Sequence, residues 1–282
     1  MSVMMNTEFY IGFKITNWCN MNCAHCCECS GQNQPLNFMP LGKLERYLFE
    51  AKQMDFRPNQ LITLGGGEAF APYLNGDNRY IPNALDIAYS YNFIPTLKTN
   101  GTWGGHNKKC QRILNDLANS AYKGNKLVTL DISVDEFHNN TANVANIIRN
   151  TLQNDRLCMA IRICLVGFQT KKSEIAQNKL KQELQKYGLK VSTTAFGDWA
   201  VETKNGVGVY MTNDFTAEIV DLGRAKTNGI FTTAFDAHGG SHCLQIDNND
   251  IATYNFRYRE PINNRHLGEV FQSLLQRAYN QR

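Results

Sequence analysis

Five of the chain's nine cysteines crowd between Cys19 and Cys29. Three of them, Cys19, Cys23 and Cys26, stand in a Cys-x3-Cys-x2-Cys spacing directly after a strand-like run, and thiolates this close can wrap one soft metal centre. An odd total is awkward for a disulfide framework, and loops this short favour metal binding over cross-linking. A structural zinc site wants a closed set of ligands, with Cys27, Cys29 or His25 available to complete it. An iron-sulfur cluster usually takes cysteines at every iron, so a cluster held by three thiolates leaves one iron open to bind something else. An open iron is a site for chemistry.

The elements that must position this loop alternate along the chain. Leu44, Tyr47, Leu48 and Ala51 make one apolar helical stripe, and Ile81, Ala84, Leu85 and Ala88 make a second. Cys110, Ile113, Leu114 and Leu117 form a third, Val144, Ile147 and Ile148 a fourth, and Ala176, Leu180, Leu184 and Tyr187 a fifth. Between and before them lie strand-like runs at Phe9 to Thr16, Leu61 to Leu64, Phe93 to Asn100, Leu127 to Val134 and Leu157 to Val166. Strand and helix in alternation imply a parallel sheet. Parity within the runs adds an orientation: Val128, Leu130, Ile132 and Val134 share one face, and Thr129, Asp131, Ser133 and Asp135 share the other. Lys98 and Asn100 in the third run, and Arg162 in the fifth, fall on the corresponding polar parity. A sheet covered on both faces reads as near-continuous apolar strands, so this split predicts helices outside and a polar, ligand-holding lumen inside: an incomplete or wide barrel.

Beyond about residue 190 the pattern loosens, with a sixth strand expected to end near Leu222. From Cys243 onward the sequence reads as two short strands around an Asn/Asp turn, followed by a helix through Val270, Leu274 and Leu275. The net charge of +4 is scattered rather than blocked and leaves no nucleic-acid or anionic-membrane footprint. No apolar run approaches the roughly 18 residues of a spanning helix, and the first residues lack the pattern of a signal peptide; a cytoplasmic location is expected.

The cysteine triplet at the end of a first strand resembles that of the radical S-adenosylmethionine (radical SAM) enzymes. Other positions agree in order: Leu64-Gly-Gly-Gly-Glu-Ala-Phe is similar to the family's Gly-Gly-Glu motif, and the segments Lys98-Thr-Asn-Gly, Asp131-Ile-Ser-Val-Asp-Glu-Phe-His and Leu222-Gly-Arg-Ala look like recurring parts of the same barrel. The resemblance covers residues 8–225 as a partial (β/α)6 radical SAM-type barrel, with 226–282 as a small C-terminal extension. It implies one 4Fe-4S cluster on Cys19, Cys23 and Cys26, with the amino and carboxylate groups of S-adenosylmethionine on the remaining iron. Gly66, Gly67 and Glu68 are then expected at the methionine end of that cofactor, where glycines allow close backbone approach and the carboxylate can pair with an ammonium. Asn100, Ser133 and Arg162, placed on the inner face by parity, are candidates to hold its carboxylate and ribose. Cys27 directly after Cys26 departs from the family's more frequent aromatic or small residue, and the spacing favours Cys26 as the ligand. His25 sits where the family often carries an aromatic or His residue.

The implied reaction is reductive cleavage of S-adenosylmethionine to a 5′-deoxyadenosyl radical that takes a hydrogen from a substrate, with a flavodoxin or ferredoxin as electron donor. The C-terminal piece looks like a worn version of the extension found on peptide- and protein-modifying members, which makes a peptide or protein residue the expected substrate and a small molecule or nucleoside the alternative. With one cysteine there, no auxiliary cluster is expected. Cys243 is then either structural or a thiol that gives a hydrogen atom to a substrate radical, as an epimerisation would need. A zinc-stapled binding module without catalysis is the competing reading from a different class.

Overall fold

The computed structural model describes residues 9–54, 61–168, 170–194, 199–202, 208–217, 223–230, 242–254 and 258–280. Its centre is a run of six parallel strands: β1 (Phe9–Thr16), β2 (Leu61–Gly66), β3 (Ile94–Thr99), β4 (Val128–Ser133), β5 (Ile161–Phe168) and, after the hairpin β6 (Lys190–Thr193) and β7 (Trp199–Glu202), β8 (Gly208–Ala217). The hairpin continues the sheet beyond β8 in antiparallel pairing. At the opposite edge β9 (His242–Asp247) runs parallel to β1 and carries β10 (Ile251–Tyr254) and β11 (Tyr258–Pro261). The sheet order is therefore β11-β10-β9-β1-β2-β3-β4-β5-β8-β7-β6. The expected α/β partial barrel is what forms.

Helices cross between the parallel strands: α1 (Leu41–Lys52), the short α2 (Ala71–Leu74), α3 (Tyr80–Ser90), α4 (Asn107–Lys123), α5 (Thr141–Leu152), the one-turn α6 (Asp155–Ala160), α7 (Lys171–Lys186), α8 (Gly223–Thr227) and finally α9 (Leu267–Asn280). The stripes read from the sequence are their buried faces; Leu44, Tyr47, Leu48 and Ala51 of α1, and Cys110, Ile113, Leu114 and Leu117 of α4, have no exposed surface. On β4, Leu130 and Ile132 pack outward against the helices, whereas Asp131 and Ser133 stay half-buried on the inner face. Burying each such aliphatic side chain contributes about 1.5–3 kcal/mol relative to leaving it exposed. A one-residue slip of β4 would swap the two rows, so packing fixes the register that presents the polar row inward.

Two elements differ from the sequence expectation. Leu157 to Ala160 are helical rather than extended, because Asn154 caps α6 by accepting the Leu157 N–H at 3.3 Å, and β5 begins only at Ile161. The sixth parallel strand is described over Gly208–Ala217, and its expected end near Leu222 lies outside the described residues. The C-terminal extension contributes three strands, not two, because Tyr258–Pro261 pairs with β10.

Among the described residues no helix is long and apolar enough to cross a membrane.

Candidate functional site

The carboxyl ends of the parallel strands converge on one cavity of about 380 Å3, lined by Cys19, Cys23 and Cys26 after β1, Gly66, Gly67 and Glu68 after β2, Asn100 after β3, and Ser133 and His138 at the end of β4. Such a crevice outside the carboxyl ends of parallel strands is where barrels and open α/β sheets bind ligands. Its volume falls in the range of small-molecule and cofactor sites.

The cysteine loop is built by its own backbone and held by a distant arginine. Cys19 N–H donates to Gly31 O at 3.3 Å, Cys26 N–H to Cys23 O at 3.2 Å and Cys29 N–H to Cys26 O at 3.3 Å, the last with Cys29 in a left-handed conformation at φ +53°. Arg224 at the start of α8 then collects the loop's carbonyls: its N–H donates to Cys26 O at 2.9 Å, its Nε to Cys23 O at 2.8 Å and its Nη2 to Ser30 O at 2.5 Å. Asn228 adds a bond to Ala24 O at 2.9 Å. Glu28 ties the far side of the loop to β1 and β9, through Lys14 at 2.5 Å and Gln245 at 2.8 Å. Cys19 Sγ accepts from Met21 N–H at 3.4 Å and from Asn100 Nδ2 at 3.6 Å, and Cys23 Sγ lies 3.6 Å from His138 Nε2. Burial, reinforced by the nearby Glu68 carboxylate, pushes the Cys19 thiol up to about 12, and burial also raises Cys26.

Gly66 and Gly67 make their close approach to the cysteine loop itself. Gly66 sits at φ +106°, and a Cβ there would lie 2.4 Å from Thr16 O; a Cβ on Gly67 would lie 1.9 Å from Trp18 O. The missing side chains let Gly67 N–H donate to Thr16 O at 2.8 Å and Glu68 N–H to Trp18 O at 3.0 Å, so the turn after β2 is sewn to the segment that carries Cys19.

Glu68 is almost wholly buried and accepts three donors: Phe70 N–H at 3.0 Å and Thr99 Oγ1 at 2.6 Å on Oε1, and Asn100 N–H at 2.8 Å on Oε2. Burial raises its pKa, and these hydrogen bonds work against that rise. Oε2 retains acceptor capacity on the cavity wall. Asn100 is a second hub: its Nδ2 reaches Asn20 Oδ1 at 2.8 Å as well as Cys19, and its Oδ1 accepts from Thr102 N–H and Thr102 Oγ1 at 3.0 and 2.8 Å.

The sequence candidates are thus brought together with one exception. Cys19, Cys23, Cys26, Gly66, Gly67, Glu68, Asn100, Ser133 and Cys243 all line the cavity. Cys243 reaches it from β9, where it pairs in register with Tyr10 of β1. Arg162 does not line it: it is exposed and in register with Thr129, below the level of Asp131 and Ser133, because parity specifies a face of the sheet and not a height along it. The arginine at the cavity is Arg224, from the quoted Leu222-Gly-Arg-Ala segment.

Asp135 and His138 are the other pair that the sequence left unassigned. His138 Nδ1 meets both oxygens of Asp135, at 2.8 and 2.9 Å, and Asp135 Oδ1 also accepts the Phe137 N–H at 2.8 Å. Burial alone would lower His138, but the Asp135 contact and the Cys23 sulfur raise it to about 10. His25 packs on Phe137 and Phe168 at centroid distances of 4.3 and 4.9 Å, and burial pushes its ring down to about 4. Its Nδ1 is buried with no hydrogen-bond partner among the described residues.

The arrangement fits a cluster and a polar cofactor: three cysteines and the acceptor Glu68 line the cavity, and the buried His25 Nδ1 has no partner among the described residues. Together with the fold it defines the class by architecture, a partial parallel α/β barrel carrying its cysteine triplet after the first strand.

Among particular proteins, the chain is 28% identical over 189 residues to YydG of Bacillus subtilis (strain 168), a protein named for a role in peptide biosynthesis. That match takes in 66% of this chain and 53% of the relative, so the chain spans about half the relative's length. Its fold is similar to that of SuiB from Streptococcus suis, solved with bound S-adenosylmethionine, at a TM-score of 0.56 and 14% identity over 94% of this chain and 65% of that one. No family model matches the chain.

Proposed function

We propose that the chain is a radical SAM enzyme that removes a hydrogen atom from a residue of a peptide or protein substrate. The observation that carries this reading is the cavity at the strand ends, which Cys19, Cys23 and Cys26 line together with Glu68 and Asn100. The likeness to a peptide-biosynthesis protein supports a peptide over a small molecule as substrate.

A 4Fe-4S cluster with S-adenosylmethionine supplies, when bound, a 5′-deoxyadenosyl radical as the hydrogen-abstracting agent. Cys19, Cys23 and Cys26 would hold the cluster, and Arg224 keeps their loop in shape by binding its carbonyls. Glu68 Oε2 would accept from the cofactor's ammonium and Ser133 would offer a hydroxyl, while Asn100 braces both Glu68 and the Cys19 loop. The apolar wall of Met21, Val166 and Phe168 excludes water from the reacting atoms. Cys243 gives the hydrogen atom back: its S–H bond breaks as a C–H bond forms at the substrate radical, and the resulting sulfur radical regains an electron from a flavodoxin- or ferredoxin-type donor and a proton from solvent. The net change is epimerisation of the substrate carbon.

The test is release of 5′-deoxyadenosine by reduced, reconstituted protein offered synthetic peptides or, separately, nucleosides. Stimulation by peptides, with one deuterium entering the peptide in D2O and none in the Cys243→Ala variant, is the expected result. Stimulation by nucleosides alone would overturn the peptide reading, and deuterium entry unchanged in Cys243→Ala would remove that thiol from the reaction.

A further inference from the structure

The chain turns tightly after β4, and the turn delivers one side chain to a cysteine of the triplet. His138 N–H donates to Asp135 O at 3.2 Å and Asn140 N–H to His138 O at 2.9 Å, which fixes the backbone on both sides of the ring. The ring is buried, with Nδ1 between both carboxylate oxygens of Asp135 and Nε2 3.6 Å from Cys23 Sγ. Asp135 is only 3% exposed, and its Oδ1 is also bonded to Phe137 N–H. His25 closes the ring's flank edge-on, at a centroid distance of 5.4 Å.

We infer that His138, aimed by Asp135, donates a hydrogen bond to the Cys23 sulfur of the cluster and so raises the cluster's reduction potential. The inference rests on the proposed cluster at Cys19, Cys23 and Cys26. A cluster-bound Cys23 is a thiolate and can only accept, and so can an ionised Asp135. The acceptors on both sides call for donors from the ring, which is buried with Nδ1 on Asp135 and Nε2 facing the sulfur. A carboxylate that orients a histidine toward a metal is a recurrent device; here the histidine points at the metal's sulfur ligand instead.

The sign follows from charge. Reduction adds an electron to the cluster, and a donor aimed at one of its sulfurs stabilises the more negative state more, which moves the potential upward. Cys19 receives donors that are neutral amides, Met21 N–H and Asn100 Nδ2. The His138 bond differs in that its donor ring is fixed by the buried Asp135, so substitution at either residue acts on the sulfur of Cys23. His138 is a positioning and tuning residue in this account and touches no substrate.

The experiment compares wild type with His138→Leu, His138→Gln and Asp135→Asn, each reconstituted anaerobically. Iron, sulfide and zinc are measured first, and the midpoint potential is then read by a redox titration followed by electron paramagnetic resonance, without S-adenosylmethionine. Full clusters with a more negative potential in all three variants are expected, the shift being largest for Leu and smaller for Gln, which retains one donor. A full cluster with unchanged potential in His138→Leu overturns the inference. If that variant takes up no cluster, His138→Gln decides: a lowered potential supports the inference and an unchanged one overturns it. One zinc per chain beside the cluster, lost in His138→Leu, would overturn it in favour of a cation at His25, Asp135 and His138, whose ligand atoms lie within 4.8 Å of one another. A wild type that assembles no cluster overturns the proposed function and this inference together, so the two failures are distinguishable.

Discussion

Glu68 accepts through both carboxylate oxygens, and the hydroxyl of Thr99 has no freedom to turn away. Thr99 Oγ1 already accepts from Gly101 N–H and Trp103 Nε1, each at 3.0 Å, so its proton is committed to Glu68. A Glu68→Gln side chain keeps the volume but sets an amide donor against Asn100 N–H or against the Thr99 and Phe70 donors. A buried donor left unmade costs about 1–3 kcal/mol, and an unfolding free energy lowered by that amount in urea denaturation is the expected outcome. Gly67→Ala acts through backbone instead: its Cβ would meet Trp18 O at 1.9 Å, so the turn after β2 must part from the cysteine loop. The expected cost exceeds the ~1–3 kcal/mol of ordinary overpacking, and iron retained per chain after reconstitution should fall with it. The cysteine triplet, the glycine turn and the inward parity of Asn100 and Ser133 are legible in the sequence because each is local. Arg224 and His138 are not, since what they do depends on contacts with Cys23 and Cys26 that only the tertiary fold creates.

At the scale of elements, the long helices and parallel strands follow from period alone, and the failures occur where a short local signal overrides it, as the Asn154 cap does at α6. The C-terminal strands and α9 bury Leu244, Ile246, Val270 and Leu274 in the core, and they also dock through polar contacts that carry no periodic trace. Glu50 of α1 accepts the Leu267 N–H at 2.6 Å, satisfying one of the otherwise unpaired donors of the first turn of α9. Asp250, in the turn between β9 and β10, accepts from Lys43 Nζ at 2.6 Å and Tyr47 Oη at 2.5 Å, both on α1. Burial alone would raise the Asp250 carboxyl, but the Lys43 and Tyr47 bonds and the Lys43 charge hold it below the ordinary aspartate value. Its contribution to stability is therefore complete above about pH 4 and is lost as the pH falls through the depressed folded value. Melting temperatures of wild type and Asp250→Asn should differ near neutrality and converge in acid; a constant difference would contradict the linkage. Gly42→Ala in α1, where a Cβ meets nothing within 4 Å, is expected to raise stability by up to about 1 kcal/mol in the same melts.

Across the whole molecule, the six parallel strands gather residues from Cys19 to Arg224 into one cavity, and β9 adds Cys243 from the other edge of the sheet. The class of fold could be read from alternation and parity; the height of each residue in the barrel could not, which is why Arg162 shares the polar face yet misses the cavity. The central claim is that Cys19, Cys23 and Cys26 hold a redox-active cluster whose open iron meets S-adenosylmethionine. Anaerobic reconstitution of wild type and Cys23→Ala, followed by iron and sulfide analysis and electron paramagnetic resonance of the reduced protein with and without S-adenosylmethionine, tests it most directly. The account predicts about four irons per chain and a signal perturbed by S-adenosylmethionine in wild type, both lost in Cys23→Ala. Zinc at about one per chain with no cluster after reconstitution would contradict it and leave a metal-stapled binding protein.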